Sequence, residues 1–374
     1  MLMAIENPAR RLGMPTLRRY TSSGKVCSAQ SGRALAGASC RHAPITSRRP
    51  TLMTMNSLEI CAGAGGQALG LELAGFDHAE LVEYEAAACV TLRANRPEWK
   101  VIHGDVRGYS ADHLKGIDLV AGGVPCPPFS HAGKQLGPDD ERDLFPEALR
   151  LVDEARPTAV MLENVRGLLD PMFAEYRNSV LTTLAKMGYW AEWKLLQASD
   201  FGVPQLRPRS VLVALNKSVV DGFSWPTPGL IPAPTVGDRL IDLMASDGWF
   251  GAEEWRAGAQ AIAPTLVGGS KKHGGPDLGP TRARKAWAEL GVDGRSLANE
   301  PPQPDFVGMP RLTVRMAARI QGFPDEWQLA GTKTAAYRQV GNAFPPPVAR
   351  AVGEKIAAAF EAAAARVVRK RAYA

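Results

Sequence analysis

The chain has 374 residues, 45% hydrophobic and 22% charged, with a formal net charge of +6. That is an ordinary globular composition, long enough for two domains or for one large domain with an insertion. No apolar run reaches the ~18 residues of a helical membrane span, and five cysteines without a Cys-x-x-Cys pair argue against a disulfide framework or zinc cluster.

The net charge belongs to one end. Residues 1–55 hold nine of the 44 Lys/Arg and one of the 38 acids, leaving 35 against 37 for the rest. Overall basicity is therefore no argument for nucleic acid, although a basic patch on a near-neutral body is compatible with one. The same segment is rich in Arg, Ser, Ala and Gly and shows no sustained period, so it cannot bury enough apolar surface to fold alone. A basic arm on phosphate and a transit peptide are alternatives. Met53 and Met55, just before the first strand, favour an over-extended translation start.

Leu58 to Ala62 is a short apolar strand that runs into Gly63-Ala64-Gly65-Gly66 and a helix from Gln67 to Ala74. Glycines there let the chain turn tightly and let a ligand approach the helix amino terminus. A strand over Ala79–Val82 carries Glu83 at its carboxyl end, 20 residues after Gly63, the spacing at which an acid meets ribose hydroxyls. A helix over 85–95, a strand over Val101–His103 and Asp105 follow. This β-α-β-α-β order predicts an α/β, doubly wound sheet. Gly63-x-Gly65-x-x-Ala68 also satisfies a dinucleotide fingerprint, so a nicotinamide oxidoreductase is an alternative at this point.

The apolar run Ile117 to Ala121 predicts a buried strand ended by two glycines, followed by Val124-Pro125-Cys126-Pro127. Each proline fixes its own φ and pushes the residue before it toward extended geometry. Cys126 is thereby presented on a stiff loop at a strand's carboxyl end, where open α/β sheets hold ligands. Taken alone, a small buried cysteine in a turn is the plainer reading. Thr158 to Leu162 is a further strand, ending in Glu163-Asn164-Val165, and Gln205-Leu206-Arg207-Pro208-Arg209 precedes a strand over Ser210–Leu215. These place an acid and two guanidiniums near the same sheet edge as Cys126.

These stretches, with Arg311 to Trp327 and Tyr337 to Val348, resemble the ordered motifs of DNA cytosine-5 methyltransferases of the bacterial restriction–modification type. The resemblance runs from about Ser57 to Ile356, and Pro-Cys, Glu-Asn-Val and Gln-x-Arg-x-Arg in that order are highly specific. It implies a Rossmann-like catalytic domain dependent on S-adenosyl-L-methionine, together with a smaller irregular target-recognition domain. It further implies that Cys126 attacks ring position 6 of cytosine, Glu163 holds or protonates ring nitrogen 3, and Arg209, assisted by Arg207, stabilises charge at the position-2 oxygen. The implied cofactor site comprises Cys61, Ala62, Gly63, Gly65, Gly66, Glu83, Tyr84, Asp105, Val106, Pro125, Asn342 and Ala343. Glu83 would meet the ribose there and Asp105 the adenine amino group. Glu59, Cys61, Pro127 and Ala343 depart from the family's usual Asp, Phe, Gln and Ser.

The loop from Phe129 to about Arg142 is polar and glycine-containing, as a closing lid would be. Ser130, Lys134 and Gln135 are candidate DNA contacts. Prolines and glycines become frequent over 223–310, which predicts short strands in the irregular domain, with Lys271, Lys272 and Arg282 as candidates for phosphate or guanine. The expected organisation is a basic tail (1–55), a catalytic domain (56–216), a target-recognition domain (217–330) and a returning segment (331–374). In that segment Val348, Val352, Ile356 and Phe360 mark one apolar helix face.

The substrate so implied is double-stranded DNA, acted on by a cytoplasmic monomer with no metal and no membrane contact. A cognate restriction endonuclease would be a functional rather than physical partner. A transfer-RNA methyltransferase shares these motifs, but the Cys-Phe-Thr tripeptide expected of that branch is absent. A non-catalytic DNA-binding relative would have no reason to keep Cys126, Glu163 and Arg209 together.

Overall fold

The computed structural model describes residues 54–125, 143–268 and 275–372. Its frame is a seven-stranded sheet in the order β3-β2-β1-β4-β5-β7-β6. The strands are β1 (Met55–Ile60), β2 (Phe76–Glu83), β3 (Val101–His103), β4 (Leu119–Gly123), β5 (Ala159–Val165), β6 (Tyr189–Gln197) and β7 (Pro208–Asn216). The first five pair in parallel, whereas β7 runs antiparallel to β5 and β6 antiparallel to β7.

The sheet is covered on both faces, which is why its central strands read as unbroken apolar runs. On one face Leu58, Ile60, Val120, Val160 and Leu212 pack against α3 (Phe145–Ala155) and α4 (Ala174–Lys186). On the other, Leu119, Ala121, Met161 and Val213 meet Leu71 of α1 (Gly66–Leu73) and Val348, Val352, Ile356 and Phe360 of α10 (Pro346–Ala372). The helical stripe anticipated at the carboxyl terminus is thus core.

A third apolar cluster joins Ala62, Leu69, Leu81, Leu92 of α2 (Ala86–Asn95) and Trp99, all around β1 to β3, to Val236, Trp255, Trp287, Met316, Phe323 and Tyr337. Those later residues lie on or beside α5 (Val236–Met244), α6 (Ala252–Gly258), α7 (Thr281–Glu289), α8 (Val314–Gln321) and α9 (Lys333–Asn342). The short strands expected within 223–310 are not found among the described residues, which form helices and irregular chain with one isolated bridge, Gln205 to Ala263. Tryptophans and leucines at helical spacing outweigh the local proline and glycine signal there. Among the described residues no helix is long and apolar enough to cross a membrane.

Strand ends also shift. β4 continues through the two glycines expected to end it, which pair with β1 and β5; glycine is required at 122 because a Cβ there would lie 2.5 Å from the Ile60 carbonyl oxygen. β5 extends to Val165, its last residues paired with β7, so Glu163 and Asn164 sit inside a strand.

Candidate active site

β1 and β4 are neighbours, but the chain leaves β1 toward β2 on one side and β4 toward β5 on the other, so a crevice opens between them at the carboxyl ends of the strands. A cavity of about 1020 Å³ occupies that crevice. Residues after β1 (Cys61 to Ala64, Gly66), after β2 (Glu83, Tyr84), after β3 (Asp105, Val106), after β4 (Pro125), on β5 (Glu163, Asn164), on β7 (Arg209) and at the end of α9 (Asn342, Ala343) all line it. Most of the residues singled out in the sequence are therefore brought together by topology alone.

The turn after β1 is shaped by its backbone. Gly65, the residue before α1, has φ of 80°, and a Cβ there would stand 2.7 Å from Leu92. Gly65 itself does not line the cavity; it makes room for the turn that does. Cys61 adopts φ of 52° without being glycine, a strained conformation of the kind that collects at binding sites. Burial and three nearby carboxylates push its thiol up to about 12, so it stays protonated. Glu83 is fixed by two backbone donors, Gly63 N to Oε2 at 2.7 Å and Glu85 N to Oε1 at 2.6 Å. Asp105 accepts the Arg107 backbone N–H at 3.0 Å.

On the other side of the cavity Glu163 and Arg209 form a buried pair, Nε to Oε1 2.7 Å, without the alignment of a hydrogen bond. Burial raises the Glu163 carboxyl above its ordinary range, and the Arg209 and Arg207 charges only partly offset this. The neighbouring Asn164 donates from Nδ2 to the Val124 carbonyl at 2.7 Å, and Leu144 N donates to the Pro125 carbonyl at 3.1 Å. Both ends of the chain flanking 126–142 are thereby pinned beside Glu163. Cys126, Ser130, Lys134 and Gln135 lie outside the described residues, as do Lys271 and Lys272.

Besides Gly65, one expected site residue lies off the cavity. Arg207 is fully buried and does not line it; its guanidinium donates to the carbonyls of Leu266, Gly341 and Ala343. Arg282, expected at DNA rather than at the cofactor, is exposed on α7.

Two further residues belong to the cavity: Glu59, noted in the sequence only as a departure from the family's usual Asp, and Gln67, not singled out there. Both carboxylate oxygens of Glu59 and Oε1 of Gln67 are buried at the cavity without a hydrogen-bond partner. Burial alone lifts Glu59 well above the ordinary carboxyl range. An acid inside an apolar strand was the available signal for Glu59, whereas nothing marked Gln67.

Comparison with known proteins agrees with this geometry. The family model for C-5 cytosine-specific DNA methylase matches residues 55–358. The type II methyltransferase M.NaeI of Lentzea aerocolonigenes is 61% identical over 316 residues, covering 83% of this chain and 76% of the relative. M.NgoMIV of Neisseria gonorrhoeae, also a type II methyltransferase, is 57% identical, covering 83% of this chain and 99% of the relative. Among solved structures, a Spodoptera frugiperda DNMT2 mutant superposes with a TM-score of 0.56 at 16% identity, covering 82% of this chain and 100% of that one, a likeness of fold.

Proposed function

The chain belongs to the C-5 cytosine-specific DNA methylase family, and on that footing we propose that it methylates carbon 5 of a cytosine swung out of a specific duplex DNA sequence. The observation that carries this reading is the buried Glu163–Arg209 pair on the cavity wall, beside the pinned departure point of the Pro-Cys loop.

The cavity residues fit S-adenosyl-L-methionine. The unpartnered acceptors of Glu59 and Gln67 suit a ligand bearing an ammonium group. The fixed carboxylate of Glu83 suits ribose hydroxyls, and Asp105 an amino group. Cys61, Ala62, Gly63, Tyr84, Val106, Pro125, Asn342 and Ala343 would complete the walls. When bound there, the cofactor supplies an electrophilic methyl group.

Carbon 5 of cytosine is a weak nucleophile, and the chain's own residues must correct that. In this reading the Cys126 thiolate forms a bond to carbon 6, which makes carbon 5 enamine-like. Glu163, its carboxyl raised by burial, donates a proton toward ring nitrogen 3 and so draws density from the attacked carbon. Arg209 meets the charge developing at the position-2 oxygen. After methylation the carbon 5 proton leaves to a base, the sulfur–carbon 6 bond breaks and ring nitrogen 3 returns its proton to Glu163, restoring the thiolate, the acid and the aromatic ring. A base inside the duplex hides both ring faces, hence the requirement for extrusion.

Residues 217–330 would read the target, with Arg282 and the outlying Lys271 and Lys272 on phosphate or guanine and Ser130, Lys134 and Gln135 contacting the strand near the extruded base. The enzyme would work as a cytoplasmic monomer, the modification partner of a restriction endonuclease. Bisulfite sequencing of DNA from cells expressing the protein tests this: one recurrent sequence should be protected, and Cys126→Ser should abolish the protection. No protected sequence would refute the reading.

A further inference from the structure

Arg207 lies behind the cavity and yet touches two stretches of chain, one at Leu266 and one at Gly341 to Ala343, the second of which lines it. Its Nη1 donates to the Leu266 carbonyl at 2.6 Å, and its Nη2 to the carbonyls of Gly341 at 2.7 Å and Ala343 at 3.0 Å. The last two are at the carboxyl end of α9, where the helix dipole presents partial negative charge and free carbonyls. A guanidinium suits that position because its rigid planar fork aims separate nitrogens at acceptors set apart from one another, whereas the three donors of an ammonium all radiate from one atom.

The surrounding bonds close the arrangement. Gln205 accepts the Leu266 backbone N–H at 2.8 Å and donates to Gln321 Oε1 at 2.7 Å, and Gln321 Nε2 returns to the Ala343 carbonyl at 2.5 Å. Two residues beyond Leu266, Gly268 lies directly on the same helix end. A Cβ on Gly268 would sit 2.0 Å from Asn342 Oδ1, and one on Gly341 2.5 Å from Gly268 Cα. Asn342 and Ala343 line the cavity, while the chain past Gly268 leads to Lys271 and Lys272.

We propose that Arg207 is a positioning residue that clamps the DNA-reading segment at 266–268 to the cofactor-side end of α9, so that cofactor and target DNA bind cooperatively. This rests on the function proposed above. A shift of the segment at Leu266 must move Arg207, and with it the carbonyls that set Asn342 and Ala343; by linkage, order imposed from either side favours the other ligand equally.

The test is the dissociation constant of S-adenosylhomocysteine for the full chain, with and without a duplex oligonucleotide carrying the sequence found methylated. For the wild type the DNA should tighten binding within the ~5- to 150-fold range of coupled sites. Arg207→Lys should bring that ratio to within about twofold of unity. A merely structural role would lower melting temperature and both affinities while leaving the ratio at its wild-type value, and that result would overturn the proposal. Gly268→Ala, which keeps the Arg207 side chain but forces residue 268 off Asn342, should also reduce the ratio; if Arg207→Lys does not fold, a wild-type ratio in Gly268→Ala is decisive against coupling. A wild-type ratio of one overturns the inference too, whereas failure to bind S-adenosylhomocysteine at all would count against the cofactor reading itself.

Discussion

The side-chain amide of Asn164, on β5, donates to the backbone carbonyl of Val124, just past β4, across 2.7 Å. Its Oδ1 meanwhile accepts the Val165 backbone N–H at 2.8 Å, which fixes the orientation of the amide. Asn164 thus sets how the chain leaves the sheet two residues before Cys126. Asn164→Ala should lower kcat by on the order of a hundredfold through misplacement of that loop. Affinity for S-adenosylhomocysteine should hardly change. Tritiated methyl incorporation and calorimetry separate the two, and an equal loss in both would contradict this role.

Glu163 carries the acid chemistry in the proposed cycle. Glu163→Gln keeps shape and removes the titrating proton, so turnover should fall by roughly 10²- to 10⁴-fold. Burial raises the folded carboxyl, and its neutral form is lost as pH rises through that elevated value. Wild-type kcat should therefore decline on the alkaline side by one ionisation, a limb absent from the residual activity of Glu163→Gln. An unchanged alkaline limb in the variant would remove Glu163 from the mechanism.

Glu59 gives a stability prediction with a definite sign. Its carboxyl is fully buried and has no partner, so its folded pKa lies well above the ordinary glutamate value of 4.5. Between those two values the unfolded chain has lost the proton that the folded chain keeps, so stability falls as pH rises, by up to about 1.4 kcal/mol per pH unit. Glu59→Gln should abolish that slope. Urea titrations from about pH 4.5 upward should show the variant gaining on the wild type as pH increases; a constant difference would mean Glu59 does not titrate in this interval.

Among the described residues Trp287 is the largest fully buried side chain, and it belongs to the cluster that joins α7 to the β1–β3 side of the sheet. Its indole N–H has no partner, so the stabilisation it contributes comes from packing. Trp287→Ala should cost about 3–5 kcal/mol and Trp287→Phe distinctly less. Because the cluster is shared, thermal unfolding should remain a single transition at a lower temperature; a separate early transition would show that residues 217–330 unfold on their own.

The parallel half of the sheet was legible because each strand is a short apolar run followed by a chemically telling residue: Gly63 after β1, Glu83 at the end of β2, Glu163 in β5. β6 escaped notice because its Tyr189–Gln197 stretch mixes charged and apolar residues, as a sheet edge does. The helices of 223–310 were hidden by the prolines and glycines between them. Arg207 and Arg209 look alike in sequence, two residues apart in one motif. Only the fold separates a guanidinium bonded to helix-end carbonyls from one that faces the cavity beside Glu163. The bare acceptors on Glu59 and Gln67 become visible only once burial is known.

The central claim is a reversible bond between the Cys126 sulfur and carbon 6 of the target base, and covalent trapping tests it most directly. Duplex DNA with 5-fluorocytosine at the methylated position should, with S-adenosyl-L-methionine present, leave a denaturation-resistant adduct. Peptide mass spectrometry should map that adduct to Cys126, and Cys126→Ser should not form it. A wild-type enzyme that methylates ordinary cytosine at that sequence yet yields no adduct, or one at another residue, would contradict the account.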